Sequence, residues 1–390
     1  MTLRYLTGGE SHGPGLTAIL DGFPAGVPLD EGMINTQLAR RQQGYGKGAR
    51  MKLENDSVKI TGGVMAGLTT GAPVSLWIEN QDHQKWKGQS IEALTTPRPG
   101  HADLTGAVKY GFHDLRPALE RASARETAAR VGVGAVCRAF LEQLKIKIGG
   151  YVLAIGEVLA DLGEMEYEER FRLAEESDVR CPDHAAGERM HTRIRRAMEE
   201  KDTLGGLIEV AAIGVPAGLG SYSQWDRRLD SRLGAAILSV PAFKGVEIGP
   251  AFENCRLPGS QVHDAIRLDG ENLTRPTNRS GGIEGGITNG MPLVIRCAMK
   301  PIPTTLKPQS TVDLLNGEET PTRYERSDYC PTPRAVPVLE SMVAFVLAEA
   351  ILEKLGGDSM EEISTRYEKL RKTRLADLPM DGGRIIFWPE

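Results

Sequence analysis

The sequence predicts an α+β fold in which antiparallel β-sheets pack against long helices. Two observations carry this prediction. The strand candidates are short β-rich segments that follow one another without a helix between each pair, which favours antiparallel sheets over a doubly wound parallel sheet. A stretch of the chain also recurs later in the sequence, which indicates that one α+β unit is present twice.

Glycine and proline turns separate the strand candidates, and two long helices are predicted. The first helix is expected over about residues 124–145, and the second has Pro337 in its first turn and ends at Gly356. The segment MVAFVLAEAIL in the second helix is apolar nearly all round, which is typical of a buried helix. The strand candidates read, in chain order, LTAILDG, SVKIT, APVSLWI, LIEVAAIG and MPLVIRCAM.

An ungapped internal repeat relates residues 62–78 to residues 281–297. The first segment reads GGVMAGLTTGAPVSLWI and the second reads GGIEGGITNGMPLVIRC. Chance similarity between glycine-rich loops is the alternative, but two weaker echoes keep the same order along the chain. They are GFPAG at 22–26 with GVPAG at 214–218, and Tyr110-x-x-x-Asp114 with Tyr324-x-x-x-Asp328.

The repeat predicts the organisation of the chain. We expect a single domain over residues 1–390, built of two repeat halves at about 1–150 and 204–357. A charged connecting region at 160–203 would join the halves, and a C-terminal tail would occupy 358–390.

Composition limits the classes of protein to which the chain can belong. Glycine accounts for 45 of the 390 residues, above the usual share of about 7%, but no G-X-Y period is present and apolar segments are spread throughout. Collagen and disorder are therefore excluded. The formal net charge of −5 argues against a nucleic-acid or membrane-surface protein. Because no long apolar run or signal-like start occurs, we expect a cytoplasmic protein.

The cysteines predict no covalent framework. They are odd in number, widely spaced and without a C-x-x-C pair, so neither a disulfide scaffold nor a metal site is expected. We expect reduced and mostly buried thiols at Cys137, Cys181, Cys255, Cys297 and Cys330.

Arginines crowd the start of the first long helix. Ser123 and Glu126 form a capping-box pattern, and Arg116, Arg121 and Arg125 lie around it. A helix N-terminus already carries partial positive charge, so cations there are unfavourable unless an anion binds among them. A phosphate or carboxylate could accept backbone N–H groups and arginine hydrogen bonds together.

The second long helix repeats this arrangement, with Arg326 and Arg334 before it. A third basic cluster lies at residues 40–52, where glycines make a flexible loop. We therefore predict a local anion site in an acidic protein. Two histidines in glycine-rich loops, His12 and His101, could approach a ligand closely and titrate near neutral pH.

Two motifs in these segments point to other protein classes. Residues 9–13, Gly9-Glu10-Ser11-His12-Gly13, match the G-x-S-x-G nucleophile elbow of an α/β-hydrolase-like esterase. The elbow needs a helix after the serine, whereas a strand-like LTAIL follows here. The 40–52 loop formally fits a dinucleotide-binding pattern, but it follows a helix and precedes a strand, which is the reverse of the order required.

Taken together, the motifs resemble those of chorismate synthase, and the resemblance spans nearly the whole chain. Seven blocks in family order make the signal specific. They are GESHGPG (9–15), RRQQGYGKGARM (40–51), RPGHAD (98–103), ERASARETAARVGVG (120–134), SVPAFKGVEIG (239–249), TNRSGGIEGGITNGMP (277–292) and RSDYCPTPRAVPVLE (326–340).

The resemblance implies a fold, a reaction and its cofactors. The fold would be a β-α-β sandwich, and the reaction a 1,4-anti elimination in which 5-enolpyruvylshikimate 3-phosphate loses phosphate and its C6 proton to give chorismate. Reduced FMN would be required without net redox change. NADPH would be a possible reductant, although a separate flavin reductase is favoured because no extra reductase domain is recognisable. The family also implies a homotetramer.

The matching motifs imply roles for single residues. His12 would protonate the departing phosphate, His101 would protonate or stabilise the flavin at N1, and Asp328 would assist at flavin N5, which takes the C6 proton. Substrate or NADP would contact Arg41, Lys47, Arg125 and Arg334. FMN would contact Arg121, Ala122, Ser123, Pro241, Ala242, Gly285, Lys300, Pro301, Ile302, Pro303, Thr304 and Arg326.

Some alternatives remain open at the level of sequence. Ala122 and Pro241 depart from the residues common in the family, so the fine detail of the flavin contacts there is open. Asp328 could instead orient a neighbouring arginine. A non-catalytic flavin or anion sensor on the same scaffold is the alternative to an enzyme.

Overall fold

The computed structural model describes residues 2–46, 56–322, 328–385 and 387–388. Lys47 and Arg326, both predicted ligand contacts, and Tyr324 of the predicted echo lie outside these residues. Every ladder between the strands listed below is antiparallel, and helices pack against the sheets, so the predicted α+β class is confirmed.

The first sheet has four strands in the order β1-β2-β6-β3. Apolar side chains on one face of these strands are buried, whereas Leu6 on the other face is 74% exposed. A separate two-stranded hairpin follows β3. The strands are β1 (Arg4–Gly8), β2 (Gly15–Asp21), β3 (Val58–Gly62) and β6 (Val74–Glu79), and the hairpin is β4 (Val64–Met65) with β5 (Leu68–Thr69).

The second sheet has five strands in the order β10-β15-β9-β7-β8. They are β7 (Lys147–Ile155), β8 (Val158–Leu159), β9 (Gly206–Ile213), β10 (Phe243–Ile248) and β15 (Leu293–Met299). Three further hairpins are β11 (Arg267–Asp269) with β12 (Asn272–Thr274), β13 (Ile283–Glu284) with β14 (Ile287–Thr288), and β16 (Ser310–Asp313) with β17 (Glu318–Pro321).

Long helices lie between the two sheets. The described α-helices are α1 (Glu31–Gln42), α2 (His83–Trp86), α3 (Asp103–Tyr110), α4 (Arg116–Arg121), α5 (Thr127–Gln143), α6 (Tyr167–Glu176), α7 (His184–Glu199), α8 (Leu229–Leu238), α9 (Ala251–Asn254), α10 (Gly259–Val262), α11 (Thr332–Leu355) and α12 (Met360–Glu368). Short 3₁₀ turns cover Ala124–Glu126, Trp225–Arg227 and Leu375–Asp377. Helix α5 packs on β2 and β6, α11 packs on β7 and β9, and the two helices pack against each other.

Helix α11 is the one helix in the described part of the chain that is long and apolar enough to cross a bilayer. In the fold, however, 89% of its most apolar window is buried between the sheets. Its composition is therefore accounted for by its place in the core, as the sequence predicted.

The two sheets share one strand order. The series β1-β2-β6-β3 of the first sheet corresponds to β7-β9-β15-β10 of the second, and β8 is an addition at the edge. Strand β7 pairs along its length with β9, so the second sheet begins at Lys147, whereas the predicted first half runs to about residue 150. The predicted connecting region contains α6 and α7, which pack against β7.

The repeated glycine-rich segments form the same hydrogen-bond network twice. The buried Thr69 hydroxyl donates to the Pro24 carbonyl at 2.6 Å and accepts from the Val27 N–H at 3.0 Å. The Thr288 hydroxyl donates to Pro216 at 2.6 Å and accepts from the Leu219 N–H at 2.9 Å. The GFPAG and GVPAG segments are therefore fastened to their hairpins in the same way.

The predicted start of the first long helix is wrong in detail. The chain forms a 3₁₀ turn over Ala124–Glu126, and the α-helix begins only at Thr127. Ser123 caps the turn by accepting from the Arg125 N–H, but Glu126 does not complete a capping box. Its carboxylate accepts from Thr7 at 2.8 Å and from Arg130 at 2.9 Å, because these tertiary partners lie beside it.

The predicted start of the second long helix is also wrong. Helix α11 begins at Thr332, with Pro333 near its start, and Pro337 lies inside it. Proline lacks the N–H that continues the helix ladder, but burial of the surrounding residues outweighs this loss. Arg334 is therefore in the first turn of the helix and does not precede it.

Close packing between α5 and α11 depends on Gly134. A Cβ at this position would lie closer than 3.0 Å to the Cα and Cβ atoms of Ser341 on α11, so a side chain would force the two helices apart. At Gly132, two residues earlier and on the side of α5 that faces the first sheet, the nearest atom is the tip of Leu76 at 3.1 Å, which can move.

We expect Gly134→Ala to lower the free energy of unfolding by about 2 kcal/mol, because overpacking outweighs the gain in helix propensity of about 1 kcal/mol. Urea denaturation followed by circular dichroism measures this. Gly132→Ala is the matched control and should be neutral or slightly stabilising. Equal stability of the two variants would show that the helices do not need this contact.

Candidate functional site

His12 lies in the turn between β1 and β2 and is held by one carboxylate. The His12 Nδ1 atom is 2.6 Å from Glu120 Oε1, and the His12 backbone N–H donates to Glu120 Oε2 at 2.8 Å. The ring also lies against Trp86, with 4.5 Å between centroids. Burial would raise the pKa of the Glu120 carboxyl, but the hydrogen bonds from His12 outweigh burial and lower it.

The backbone of this turn is fixed by its neighbours. Gly9 has a φ of 111°, and a Cβ there would collide with the Gly15 carbonyl, so only glycine fits. The Asn80 side-chain amide donates to the carbonyls of Ser11 at 2.7 Å and Gly13 at 3.0 Å. These contacts hold His12 at the end of the first sheet.

The geometry of the turn excludes the hydrolase alternative. Strand β2 begins at Gly15, directly after the G-x-S-x-G motif, and pairs with β1 as a hairpin. A nucleophile elbow would need a helix at this point. The Ser11 hydroxyl is instead 3.0 Å from the Ser123 hydroxyl, at the turn before α5.

His101 is held by a second carboxylate, in the loop before α3. Its Nδ1 atom is 2.6 Å from Asp103 Oδ1. Arg98 donates two hydrogen bonds to the same carboxylate, from Nε at 2.8 Å and from Nη2 at 3.0 Å. Asp103 is fully buried; burial would raise the pKa of its carboxyl, but the contacts with His101 and Arg98 lower that pKa far below its usual range.

The His101 loop meets a segment from the second half of the chain. Lys300 donates to the Gly100 carbonyl at 3.2 Å, and Arg98 reaches the Thr304 hydroxyl at 3.5 Å. The Lys300 backbone N–H donates to the Ala242 carbonyl at 3.0 Å. The structure thus brings the run from Lys300 to Thr304, with Pro301, Ile302 and Pro303 between them, next to Pro241 and Ala242 and close to His101.

Two features of this junction fit a site for an anionic ligand. Ala242 has a φ of 73°, a left-handed conformation that non-glycine residues seldom adopt and that often marks functional sites. Burial, together with the charge of nearby Lys244, lowers the pKa of Lys300. A bound anion would relieve the repulsion between these two amines.

A cluster of arginines joins the starts of α5 and α11. Arg125 Nη1 is 2.5 Å from Asp56, and Arg41 Nη1 is 3.5 Å from the same carboxylate. Arg334 Nε donates to the Arg41 carbonyl at 3.3 Å, and its guanidinium pairs with Asp328. Among the described residues, three guanidinium groups therefore contact two carboxylates at this point.

Arg125 and its neighbour Gln42 have donors that are not satisfied. Both side chains are buried, yet Arg125 Nε and Gln42 Nε2 contact no hydrogen-bond acceptor in the residues that the structure describes. Arg125 Nη2 also donates to the Glu79 carbonyl at 3.4 Å, next to Asn80, which holds the His12 turn. The arginine cluster and His12 thus lie at the same end of the first sheet, and buried unpartnered donors fit an anion.

The remaining predicted flavin contacts are placed in two groups. Arg121, Ala122 and Ser123 lie beside the His12 turn, where Arg121 donates to the Thr7 hydroxyl at 3.0 Å. Gly285 lies elsewhere, at the exposed tip of the β13–β14 hairpin, which is bonded to Leu229 at the start of α8. Among the described residues, no backbone hydrogen bond joins that hairpin to the His101 loop.

Sequence reasoning missed the residues that orient the histidines. Glu120 and Asp103 lie within quoted motifs, and a carboxylate two residues after His101 was a usable signal. Asp56, by contrast, has no local signal, because its partners Arg41 and Arg125 come from other elements.

An open apolar depression of about 450 Å³ lies at the ends of β7, β9 and β15 in the second sheet and reaches the His101 junction at Pro301. It is lined by Ala154, Gly156, Leu159, Leu204, Gly205, Gly206, Leu207, Met299 and Pro301. None of these side chains titrates, so the depression offers no acid–base chemistry.

Comparison with known proteins decides the family. The family model described as chorismate synthase matches residues 3–352. The chain belongs to the chorismate synthase family. The chorismate synthase of Syntrophotalea carbinolica is 54% identical over 376 residues, covering 94% of this chain and 97% of the relative. That of Aquifex aeolicus is 51% identical over 384 residues, covering 94% and 96%.

A solved structure agrees with this membership. A crystal structure of chorismate synthase is 45% identical to this chain, matches it with a TM-score of 0.79, and covers 95% of this chain and 97% of its own. Membership of the chorismate synthase family makes the chain a lyase that acts on a phosphate ester.

We expect Asp103→Asn to lower the free energy of unfolding at pH 7 by about 3 kcal/mol, because Arg98 would lose its buried counter-charge. The pKa of Asp103 is depressed in the folded state, so its stabilisation is complete above the unfolded value of about 4 and fades as the pH falls below it. Urea denaturation at pH 7 and pH 3 measures both effects.

Asp21→Asn is the control, because this carboxylate forms an exposed pair with Arg4. It should leave stability unchanged at either pH. An Asp103→Asn deficit that stayed constant down to pH 3 would contradict the assigned ion pair.

Proposed function

We propose that this chain converts 5-enolpyruvylshikimate 3-phosphate to chorismate by 1,4-anti elimination of phosphate, with reduced FMN as cofactor. The observation that carries the proposal is the juxtaposition of a carboxylate-bound histidine, His12, with the arginine cluster at the starts of α5 and α11. The substrate carries two carboxylates and a phosphate, which is the charge that such a cluster would bind.

His12 is the proposed general acid for the departing phosphate. Its Nδ1 atom is engaged by Glu120, so Nε2 is the atom that would pass a proton to a phosphate oxygen. Protonation makes phosphate a better leaving group. The imidazole is suited to this step because histidine exchanges protons near neutral pH.

Arg41, Arg125 and Arg334 are the proposed anion contacts, together with Lys47. The Nε of Arg125, which has no hydrogen-bond partner among the described residues, supports this role, and Asp56 holds Arg41 and Arg125 side by side. The same cluster would accept the phosphate groups of a nicotinamide nucleotide where one binds.

The residues of the His101 junction fit a flavin site. Lys300 to Thr304 and Pro241 to Ala242 would hold the cofactor from the second half, and Arg121 to Ser123 from the first, with Gly285 and Arg326 as further proposed contacts. When bound, reduced FMN supplies the electron-rich ring that accepts the C6 proton without net redox change. His101, bound to Asp103 through Nδ1, would offer Nε2 to the N1 side of that ring.

Asp328 has two possible roles at this site. Its ion pair with Arg334 supports the alternative in which it orients an arginine. In the other role, the same carboxylate would accept a hydrogen bond from the N5 side of the flavin ring. We keep the second role as part of the proposal.

Further family properties are also proposed for this chain. They are a homotetrameric assembly and a cytoplasmic location. The sensor alternative would bind the substrate and flavin but release no phosphate.

We expect His12→Ala and His101→Ala each to lower the rate of phosphate release by about 100-fold or more, the usual scale for general acid–base groups. The assay uses 5-enolpyruvylshikimate 3-phosphate with reduced FMN under anaerobic conditions. His113→Ala is the control, because this histidine is exposed in a loop before α4, and it should retain full activity.

Two outcomes would contradict the proposal. Binding of the substrate without any phosphate release by the wild-type protein would favour the sensor. Full activity of both histidine variants would remove the assigned roles.

We expect no sustained turnover with oxidised FMN and NADPH as the sole additions, because a separate reductase is proposed to supply reduced flavin. Chorismate formation is followed with and without an added flavin reductase. Steady turnover without the reductase would show that the chain reduces its own flavin.

A further inference from the structure

Glu120 is bound to a single residue through both of its oxygens. Oε1 faces His12 Nδ1 at 2.6 Å, and Oε2 accepts the His12 backbone N–H at 2.8 Å. The carboxylate therefore fixes the ring and its backbone at once. Both side chains are largely buried, with 18% of the His12 side chain and 12% of the Glu120 side chain exposed.

The His101 pair provides an internal comparison. Asp103 binds Nδ1 of His101 at the same distance, 2.6 Å. It also accepts two hydrogen bonds from the Arg98 guanidinium, which compensates the charge of the carboxylate. In the described part of the chain no guanidinium donates a hydrogen bond to Glu120, and the charge of Arg116 acts on it only from further away. The negative charge of Glu120 is thus directed at His12.

We propose that Glu120 is the positioning residue of His12 and that it assigns the two ring protons to different tasks. This inference rests on the proposed function of His12 as the acid. The proton on Nδ1 stays in the hydrogen bond to Glu120, and the proton on Nε2 moves to a phosphate oxygen. The ring is left neutral with Nδ1 protonated, ready to be reprotonated at Nε2 from solvent.

The physical basis is the control of the histidine tautomer. A neutral imidazole carries its proton on one nitrogen, and an ionised carboxylate beside Nδ1 selects that nitrogen. In the Nε2–H tautomer the ring would face Glu120 with a lone pair, which is unfavourable. Glutamine at position 120 is close in size, but one of the two oxygens that face His12 becomes an NH₂ group, which cannot accept a hydrogen bond.

We expect Glu120→Gln to lower kcat for phosphate release by at least about 10-fold, with KM unchanged within about 3-fold, because the arginine cluster that binds the substrate is left intact. In the His12→Ala background the same substitution should slow phosphate release no further, since the imidazole is gone and only the contact with the backbone N–H of residue 12 remains. An additional loss in that background would show that Glu120 acts on the fold and would overturn the proposal.

Glu349→Gln is the matched control. Glu349 lies on α11, away from the site, and its largely buried carboxylate pairs with Arg232 of α8 at 2.6 Å. The Glu349→Gln variant should keep the wild-type kcat and KM. If the wild-type protein and the control release phosphate and His12→Ala is impaired, but Glu120→Gln has full activity, the positioning role alone fails. If the wild-type protein releases none, the proposed function fails instead.

A spectroscopic measurement tests the inference without turnover and without the Glu120→Gln variant. In protein labelled with ¹⁵N-histidine, the wild-type spectrum at alkaline pH should show His12 as the Nδ1–H tautomer, with His12→Ala used to assign the signal. Glu349→Gln should leave this signal unchanged. A wild-type His12 in the Nε2–H tautomer would overturn the proposal.

Discussion

The packing of α5 against α11 is the constraint on which the rest of the structure depends. Gly134 allows the two helices to approach so closely that any side chain there would meet the backbone of Ser341. Each helix covers one sheet, so their contact also sets the distance between the sheets. The contact between the helices also brings their starts together. Arg125 lies just before α5 and Arg334 lies in the first turn of α11, so this contact creates the arginine cluster.

A buried ionic network fixes the register of this contact. Glu340 on α11 is almost fully buried, and it accepts from Arg40 of α1 at 2.6 Å and from Arg138 of α5 at 2.8 Å. Burial would raise the pKa of the Glu340 carboxyl, but the two guanidinium groups lower it. Buried ion pairs add little net stability, but they penalise misalignment strongly, because a shifted helix would leave a charge without a partner. Arg41 of the arginine cluster follows Arg40 on α1, so the network also fixes the position of that cluster.

The same scaffold occurs twice but serves the site unequally. Both histidines come from the first half, whereas the run from Lys300 to Thr304 and the strained Ala242 come from the second. The two buried threonines, Thr69 and Thr288, fasten equivalent loops in each half. Helices α6 and α7 cover the outer side of the second sheet, while the first sheet leaves Leu6 exposed. The two halves thus share one framework, but their loops supply different side chains to the site.

The sequence by itself determined the fold class, five of the nine strands in the two main sheets, the internal repeat and the segments that carry His12, His101 and the arginines. Strands β1, β7, β8 and β10 were not predicted. These features depend on local patterns, such as the alternation of apolar and less apolar residues along LTAILDG and the glycine turns. Such patterns can be read from neighbouring residues and do not depend on tertiary contacts. It misplaced the starts of α5 and α11, because Glu126 is drawn to Thr7 and Arg130 and burial keeps Pro337 inside a helix. Only the tertiary structure decided which carboxylates orient the histidines and that Asp56 is shared by two arginines. The partners of such pairs lie far apart in sequence, and no local pattern records which charges will meet when α5 and α11 pack.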